Sequence, residues 1–174
     1  KLPCIYGSPT ITAGNSPGLN DGATAILFST RQAAEKMGVS PLATILGMTS
    51  VATEPNFLPE APAFAIERVL AQTGLSLEEI DLIEINEAFA AVPLVSTKMV
   101  AENHYGKDKT LLQKLREKTN VNGSAIAIGH PNTASGARIM MTLCYELKRR
   151  GGGIALGAIC GGLAQADACI VKVS

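Results

Sequence analysis

Three polar side chains with useful chemistry each follow an apolar run of this chain. Asn86 follows the first run, His130 lies in a Gly-His-Pro turn after the second, and Cys160 begins a Cys-Gly-Gly turn after the third. In open α/β sheets, groups that lie just beyond the strand ends share one crevice. An amide, an imidazole and a thiol can together hydrogen-bond a carbonyl oxygen and move a proton, so the set predicts chemistry on an acyl group.

Each of these groups also has an ordinary structural explanation. Asn86 could cap the helix that we expect after it, His130 could be satisfied by core hydrogen bonds, and Cys160 could pack as a small buried hydrophobe. The two glycines after Cys160 favour function, because they let backbone N–H groups approach a bound oxyanion. Nearby donors or an imidazolium would lower the pKa of this thiol from its ordinary value of about 8.5.

Composition makes several other classes of function unexpected. The 174 residues fit one domain, and the formal net charge is zero with the basic residues spread out, so we expect neither nucleic-acid binding nor a basic membrane helix. The four cysteines form no CxxC pair and no histidine lies at metal-ligand spacing, so no zinc site is expected. Free thiols without a signal-peptide pattern favour a cytoplasmic protein. The chain begins with Lys, and we interpret it as a fragment or as one half of something longer.

Apolar runs that alternate with helical patterns predict an α/β fold. The strands are expected at 23–29, 43–53, 81–85, 154–159 and 166–173. The helices are expected at 30–37, 63–72, 87–103, 106–119 and 134–150. This pattern predicts a five-stranded mixed sheet with helices on both faces and with the last two strands adjacent. We interpret the short run 124–128, which precedes the His130 turn, as a further buried strand.

Taken together, these clusters closely resemble the thiolases, which are the acetyl-CoA acetyltransferases and 3-ketoacyl-CoA thiolases. The resemblance is carried by residues 12–23 (TAGNSPGLNDGA), 86–89 (NEAF), 122–131 (NGSAIAIGHP) and 160–162 (CGG), in an order that matches over essentially the whole chain. It covers the C-terminal half of the family only, which resembles a βαβαβαββ domain. The resemblance implies that residues 1–174 lack the N-terminal half, with its nucleophilic cysteine and its inserted loop domain.

The resemblance implies a role for each polar group. Asn86 would hold a water that, with the His130 ring, forms an oxyanion hole for the enolate of the thioester. His130 would also take the proton from the missing nucleophilic cysteine. Cys160 would remove and return the α-proton of acetyl-CoA, and the backbone N–H of Gly162 would belong to a second oxyanion hole.

The resemblance also implies where coenzyme A (CoA) would bind. Ala88 and Phe89 would line the channel for its pantetheine arm. Three places depart from the usual pattern of the family: Pro17 replaces a serine that touches CoA, Thr133 replaces a glycine after Gly-His-Pro, and residues 162–167 (GLAQAD) replace a glycine- and methionine-rich run. A side chain at Thr133 could narrow the pocket or cap the following helix.

The implied function is the reversible Claisen condensation or thiolysis of a 3-ketoacyl-CoA, usually acetoacetyl-CoA, in fatty acid metabolism. The CoA thioester is the substrate, and no metal or redox cofactor is implied. The expected partners are an acyl-CoA and the N-terminal half, on the same or a separate polypeptide, and the complete enzyme is expected to be a homo-oligomer. This chain alone would be inactive, because the two half-reactions need both cysteines.

Two other functions compete with this interpretation. The first is a non-catalytic thiolase-like subunit that binds acyl-CoA or lipid or supports a partner chain. The second, a ketoacyl synthase of the same superfamily, is disfavoured, because those enzymes usually use two histidines, or His with Asn, where this chain has His130 and Cys160.

Overall fold

The structure, a computed structural model, describes residues 2–174 and contains one mixed sheet. Its strands are β1 (Thr44–Ala52), β2 (Leu82–Ile85), β3 (Gly153–Gly161) and β4 (Gln165–Val173). Their order across the sheet is β1-β4-β3-β2, with β4 antiparallel to both of its neighbours and β2 parallel to β3. Because β2 and β3 run in the same direction, the segments that follow them leave the sheet at the same edge.

Helices connect the strands and cover both faces of the sheet. They are α1 (Arg31–Lys36), α2 (Ala61–Thr73), α3 (Ala91–Tyr105), α4 (Lys109–Glu117), α5 (Ala125–Ile128) and α6 (Ser135–Arg150). Helix α1 begins where the Thr30 hydroxyl accepts a hydrogen bond from the Ala33 N–H at 3.2 Å. Helices α2 and α6 end at Gly74 and Gly151, whose left-handed conformation suits glycine.

The last turn of α6 carries a charged cluster. Arg149 and Arg150 donate to the carboxylate of Glu146 at 2.5 and 2.6 Å. These hydrogen bonds hold the pKa of Glu146 at about 2. Two arginines at the carboxyl end of a helix also face the negative end of its dipole, so the cluster stabilises this terminus.

Apolar side chains pack against the two faces of the sheet in two separate clusters. One cluster joins α2 and α3 to the sheet and contains Ile66, Val69, Val100, Leu156 and Ile170 among others. The other joins α6 to the opposite face and contains Leu82, Ile139, Leu143, Leu147 and Val171 among others. Helix α6 lies mainly over β2 and β3, so the face of the sheet near β1 stays open as a groove of about 710 Å³, where Met48 is 60% exposed.

The prediction of five strands is wrong, because the sheet has four. The run 23–29 forms no strand: no other strand of residues 2–174 pairs with it, and its Leu27 and Phe28 are 87% and 68% exposed. An apolar run becomes a strand only where a neighbour can satisfy its backbone groups. Beyond β2, the sheet is extended only by a single parallel bridge between Ile83 and Thr119.

The interpretation of 124–128 as a buried strand is also wrong, since α5 occupies this run. The Glu87 carboxylate accepts a hydrogen bond from the Ile126 N–H at 3.0 Å, which satisfies a free donor of the first helical turn. Gly129, with φ +99°, then ends the helix after one turn. Ile128 is 57% exposed, so a tertiary contact, not burial, sets the conformation of this run.

The other strands match the prediction within a few residues, and β3 and β4 pair as an antiparallel hairpin, as expected. Helices lie on both faces of the sheet, which was also expected. Within residues 2–174, no helix has both the length and the apolar character that a membrane crossing requires.

Candidate active site

The side chains of Asn86 and His130 meet although 44 residues separate them along the chain. Asn86 Nδ2 lies 3.4 Å from His130 Nε2. Asn86 is fully buried, and its backbone N–H donates to the Ala158 carbonyl at 2.9 Å, which continues the pairing of β2 with β3 by one residue. Helix α3 begins only at Ala91, so the alternative role of Asn86 as a helix cap is excluded.

Ser135, which the sequence analysis did not single out, holds the other side of the imidazole. Its hydroxyl lies 2.7 Å from His130 Nδ1, and Ser135 is fully buried as the first residue of α6. An amide NH₂ can only donate, so Nε2 accepts from Asn86 and the ring proton lies on Nδ1, which donates to Ser135 Oγ. The only sequence signal for this contact is a serine five residues after the histidine, where a helix is expected to begin.

The environment of His130 favours its neutral form. Burial lowers the pKa of His130, and the positive charge of Arg138 lowers it further. A neutral ring whose Nε2 has a lone pair can accept a proton from a substrate or from a thiol. The site therefore contains a candidate general base in the protonation state that the role requires.

Asn86 also contributes an unused hydrogen-bond acceptor. Among residues 2–174, its Oδ1 atom is buried and has no partner. Buried amide oxygens are normally hydrogen-bonded, so this atom suits a water molecule or a ligand donor. A water at this position would be held beside the His130 ring.

A loop near the start of the chain fixes the segments that carry these two residues. The Asn15 carbonyl accepts a hydrogen bond from the N–H that precedes α3, and the Gly18 carbonyl accepts from the His130 N–H, both at 2.9 Å. The Asn20 side chain packs against Gly129, where a Cβ atom would clash with Asn20 Oδ1. Gly129 is therefore required both by this close approach and by its φ of +99°.

Cys160 lies near the end of β3, at the edge of the sheet where β2 leads into Asn86. Burial raises the pKa of the Cys160 thiol, and this outweighs a backbone hydrogen bond that favours the thiolate. The direction is opposite to the lowering that the sequence analysis expected, because apolar contacts surround the sulfur more than donors do. At neutral pH the group is a thiol, which can donate a proton.

Gly162 lies two residues after Cys160, in an exposed 3-10 turn between β3 and β4. The next two residues, Leu163 and Ala164, have φ values of +58° and +59°. Left-handed conformations cost non-glycine residues roughly 1–2 kcal/mol each. Strained backbone of this kind concentrates at functional sites, so the turn around Gly162 is a candidate part of the site.

A cavity of about 680 Å³ adjoins Cys160. Asn132 and Thr133, which follow the His130 turn, line it together with polar side chains that include Arg68 and Asp167. Cys160 and the two residues that follow the His130 turn therefore border one space. Thr133 lines this space while the N-terminus of α6 has no side-chain cap, so the structure favours the pocket-narrowing alternative for Thr133 over the capping one.

Ala88 and Phe89 lie in the bend between β2 and α3 and are partly buried. Phe89 makes an edge-to-face contact with Tyr6, with ring centroids 6.4 Å apart. The bend follows Asn86 directly, so both residues lie close to the site, and their place in a pantetheine channel stays a prediction. Within residues 2–174, no three His, Cys, Asp or Glu side chains are grouped as a metal ion would require.

Comparison with known proteins gives a consistent result. The model of the family "Thiolase, C-terminal domain" matches residues 39–173. The chain is 41% identical over 158 residues to the acetyl-CoA acetyltransferase of Chromobacterium violaceum, covering 91% of this chain and 37% of the relative. It is also 41% identical over 173 residues to the mitochondrial 3-ketoacyl-CoA thiolase of Bos taurus, covering 99% of this chain and 41% of the relative.

Solved structures match the fold as well. The crystal structure of human mitochondrial 3-ketoacyl-CoA thiolase matches with a TM-score of 0.87 and 40% identity, over 100% of this chain and 41% of that chain. The structure of the same human enzyme in complex with CoA matches with a TM-score of 0.83 and 37% identity, over the same shares of both chains. The chain thus spans about two fifths of the length of these relatives. It belongs to the thiolase family, of which it represents the C-terminal domain.

Proposed function

We propose that this chain is the C-terminal half of a thiolase that makes or cleaves a 3-ketoacyl-CoA by a reversible Claisen reaction. The observation that carries the proposal is the contact between the Asn86 amide and the His130 ring, at the sheet edge where β3 ends near Cys160. Membership of the thiolase family, whose relatives include acetyl-CoA acetyltransferases and 3-ketoacyl-CoA thiolases, supports the choice of substrate class.

In this proposal, Asn86 and His130 stabilise the enolate that forms when the thioester loses an α-proton. The unpartnered Asn86 Oδ1 orients a water, and this water and the ring donate to the enolate oxygen. Each placed donor of such a hole is worth roughly 2.7–4 kcal/mol in other enzymes. His130 Nε2 becomes a donor only after it has taken a proton, which fits its proposed second role as base for a cysteine of the other half.

Cys160 moves the α-proton in both directions. During cleavage, the nucleophilic cysteine of the other half forms a bond from its sulfur to C3, the C2–C3 bond breaks so that the acyl group stays on that sulfur, and the Cys160 thiol gives its proton to C2 of the departing acetyl-CoA enolate. During condensation, the Cys160 thiolate removes the same proton. The raised pKa of Cys160 supports the donating role, because the group then carries its proton at neutral pH.

The nucleophilic cysteine that carries the acyl group lies on the N-terminal half of the thiolase, which this chain does not include. The groove between α6 and the 23–29 run supports this part of the proposal, since it is lined by apolar side chains that include Ile26, Phe28, Met48 and Met140. Exposed apolar patches of this kind mark protein interfaces. We infer that the N-terminal half covers this groove, that acyl-CoA is the ligand, and that Gly162 N–H contributes to a second oxyanion hole with that half.

The proposal is tested by supplying the missing half. The chain alone should cleave no acetoacetyl-CoA in the presence of CoA, whereas the chain joined to or mixed with a thiolase N-terminal half should cleave it. Cys160→Ala should abolish this activity, and Cys4→Ala, which changes an exposed cysteine outside the strands of the sheet, should leave it intact. Thiolysis by the chain alone, lost on Cys160→Ala, would contradict the assignment of the nucleophile to the other half.

A non-catalytic thiolase-like subunit is the second candidate. The Thr133 side chain in the wall of the cavity favours it, because the thiolase pattern usually has a glycine at this position. The same assay separates the two candidates. An assembled pair that binds acyl-CoA tightly and shows no turnover would support the subunit.

A further inference from the structure

A buried ion pair lies beneath the candidate site. Arg138 of α6 donates from Nη1 to Glu84 Oε1 at 2.7 Å, and Glu84 of β2 is only 2% exposed. The Ser124 hydroxyl bridges the two charges: it donates to the same carboxylate oxygen at 3.1 Å and accepts from Arg138 Nη2 at 3.2 Å. Burial of two charges offsets most of their attraction, so stability alone does not account for this arrangement.

The three members of this cluster belong to the three segments that build the site. Glu84 lies on β2, two residues before Asn86, which follows the end of that strand. Ser124 immediately precedes α5, which leads to His130, and Arg138 lies three residues after Ser135, on the same helix. The cluster therefore ties together the carriers of the amide, the imidazole and the hydroxyl that orients the imidazole.

We propose that Arg138, through Glu84 and Ser124, is a positioning residue that holds His130 in contact with Asn86. Its guanidinium bonds both partners at once, and its planar fork fixes their relative geometry more firmly than a flexible ammonium would. The consequence for catalysis rests on the function proposed above. The consequence for the geometry of the His130–Asn86 pair does not.

The charges around His130 give this inference a second measurable consequence. The Arg138 charge adds to burial in lowering the pKa of His130, and so favours the neutral ring. Glu84, whose own pKa is raised by burial despite Arg138, faces the guanidinium from β2, and Glu87 lies at the start of α5. Removing the cation should therefore raise the pKa of His130, and neutralising Glu84 should lower it.

The test is a proton NMR titration of the protein, which has two histidines, so His104 serves as an internal reference. Arg138→Met should raise the pKa of His130, and Glu84→Gln should lower it. Arg138→Lys keeps the charge without the fork, so it should leave the pKa near that of the wild type while weakening the contact between His130 and Asn86. That contact is followed by nuclear Overhauser effects between the ring and the amide.

Arg116→Met is the matched control. Arg116 also joins two elements, donating to Thr97 Oγ1 at 3.2 Å and to the Leu94 carbonyl at 3.0 Å, but these lie on α3, away from the site. This variant should be destabilised without any change at His130. If Arg138→Met and Arg116→Met both lower stability and neither moves the His130 resonances, Arg138 is structural only and the proposal is overturned.

A second readout uses the assembled two-half enzyme. Arg138→Lys should lower kcat about 100-fold with little change in KM, because an error of about 1 Å in the catalytic groups has this effect. An unchanged kcat in Arg138→Lys would overturn the catalytic part of the inference. If the wild-type pair has no thiolase activity, the proposed function fails, and the NMR titration still decides the positioning role. Should Arg138→Met fail to fold, Arg138→Lys and Glu84→Gln provide the same test.

Discussion

The hydrogen bond between Ser135 and His130 makes a sharp prediction about the protonation of the ring. Ser135→Ala removes a 2.7 Å contact between a fully buried hydroxyl and Nδ1. The Nδ1 proton then loses its acceptor, and moving that proton to Nε2 would turn a second donor toward the Asn86 amide. Because the ring cannot satisfy both nitrogens, we expect the variant to lose about 1–3 kcal/mol of unfolding free energy.

Ser96→Ala is the matched control for this substitution. Ser96 is equally buried, and its hydroxyl donates to the Pro59 carbonyl at 2.7 Å, between α3 and the segment before α2. Its loss should cost a similar free energy, because it also leaves one buried partner unsatisfied. Urea unfolding followed by circular dichroism measures both values.

Imidazole ¹⁵N chemical shifts separate the two variants. In the wild type and in Ser96→Ala, neutral His130 should carry its proton on Nδ1. In Ser135→Ala, the proton should move largely to Nε2, with the Asn86 amide turned so that its unpartnered Oδ1 accepts this proton, and Nδ1 is then left without a partner. If the two variants lose similar stability while all three proteins share one tautomer, Ser135 does not orient the ring and the reasoning fails.

Three further predictions concern the backbone, the charges and the thiols. Gly129→Ala should cost about 1–3 kcal/mol of unfolding free energy because of its left-handed φ, whereas Gly136→Ala, in α6 with open space around it, should gain about 0.5–1 kcal/mol; urea unfolding tests both. The pKa of Glu146 is about 2 in the folded protein, below its ordinary value of 4.5. The contribution of this carboxylate to stability is therefore complete above pH 4.5 and is lost as the pH falls toward 2. Glu146→Gln should therefore lose less stability than the wild type between pH 6 and pH 3, and equal losses would contradict this. Iodoacetamide at pH 7 should label exposed Cys4 before Cys160, whose labelling should accelerate as the pH rises toward its raised pKa; mass spectrometry of the peptides gives the order.

The sequence predicted best the elements whose local pattern agrees with their tertiary surroundings. β3 and β4 were expected as adjacent strands, and they pair along their whole length because both are apolar and only a short turn separates them. Helix α6 was predicted almost to the residue, because its last charged turn and Gly151 mark its end clearly. The contact between Asn86 and His130 was expected from the rule that polar groups near strand ends share one crevice, but only Asn86 follows a strand, and His130 reaches it from the end of helix α5.

The two errors have one physical cause. An apolar run shows that its side chains tend to be buried, but it does not show which element they pack against. The run 23–29 has no neighbouring strand among residues 2–174, so it has nothing with which to form a sheet. The run 124–128 is helical because the Glu87 carboxylate binds its first turn. Glu87 lies 39 residues from Ile126 along the chain, so a pattern within a short stretch of sequence does not reveal this contact.

The residues that the sequence analysis missed are those that hold another residue of the site in position. Ser135 and Arg138 share one face of α6, three residues apart, and neither stands out without the position of His130. Glu84 did give a signal. A carboxylate within an otherwise apolar strand requires a buried partner, and that requirement predicts a cation somewhere on a packed helix.

The loop at residues 12–22 lies before the segment that the family model matches, but it helps to align the candidate site. The family match begins at residue 39, so a chain trimmed to the matched segment would keep Asn86, His130 and Cys160. It would lose the carbonyls of Asn15 and Gly18, which hydrogen-bond the two segments that carry the amide and the ring. Such a trimmed chain would keep the three candidate side chains without the loop that aligns two of them, so the segment that the site needs is longer than the segment that the family model matches.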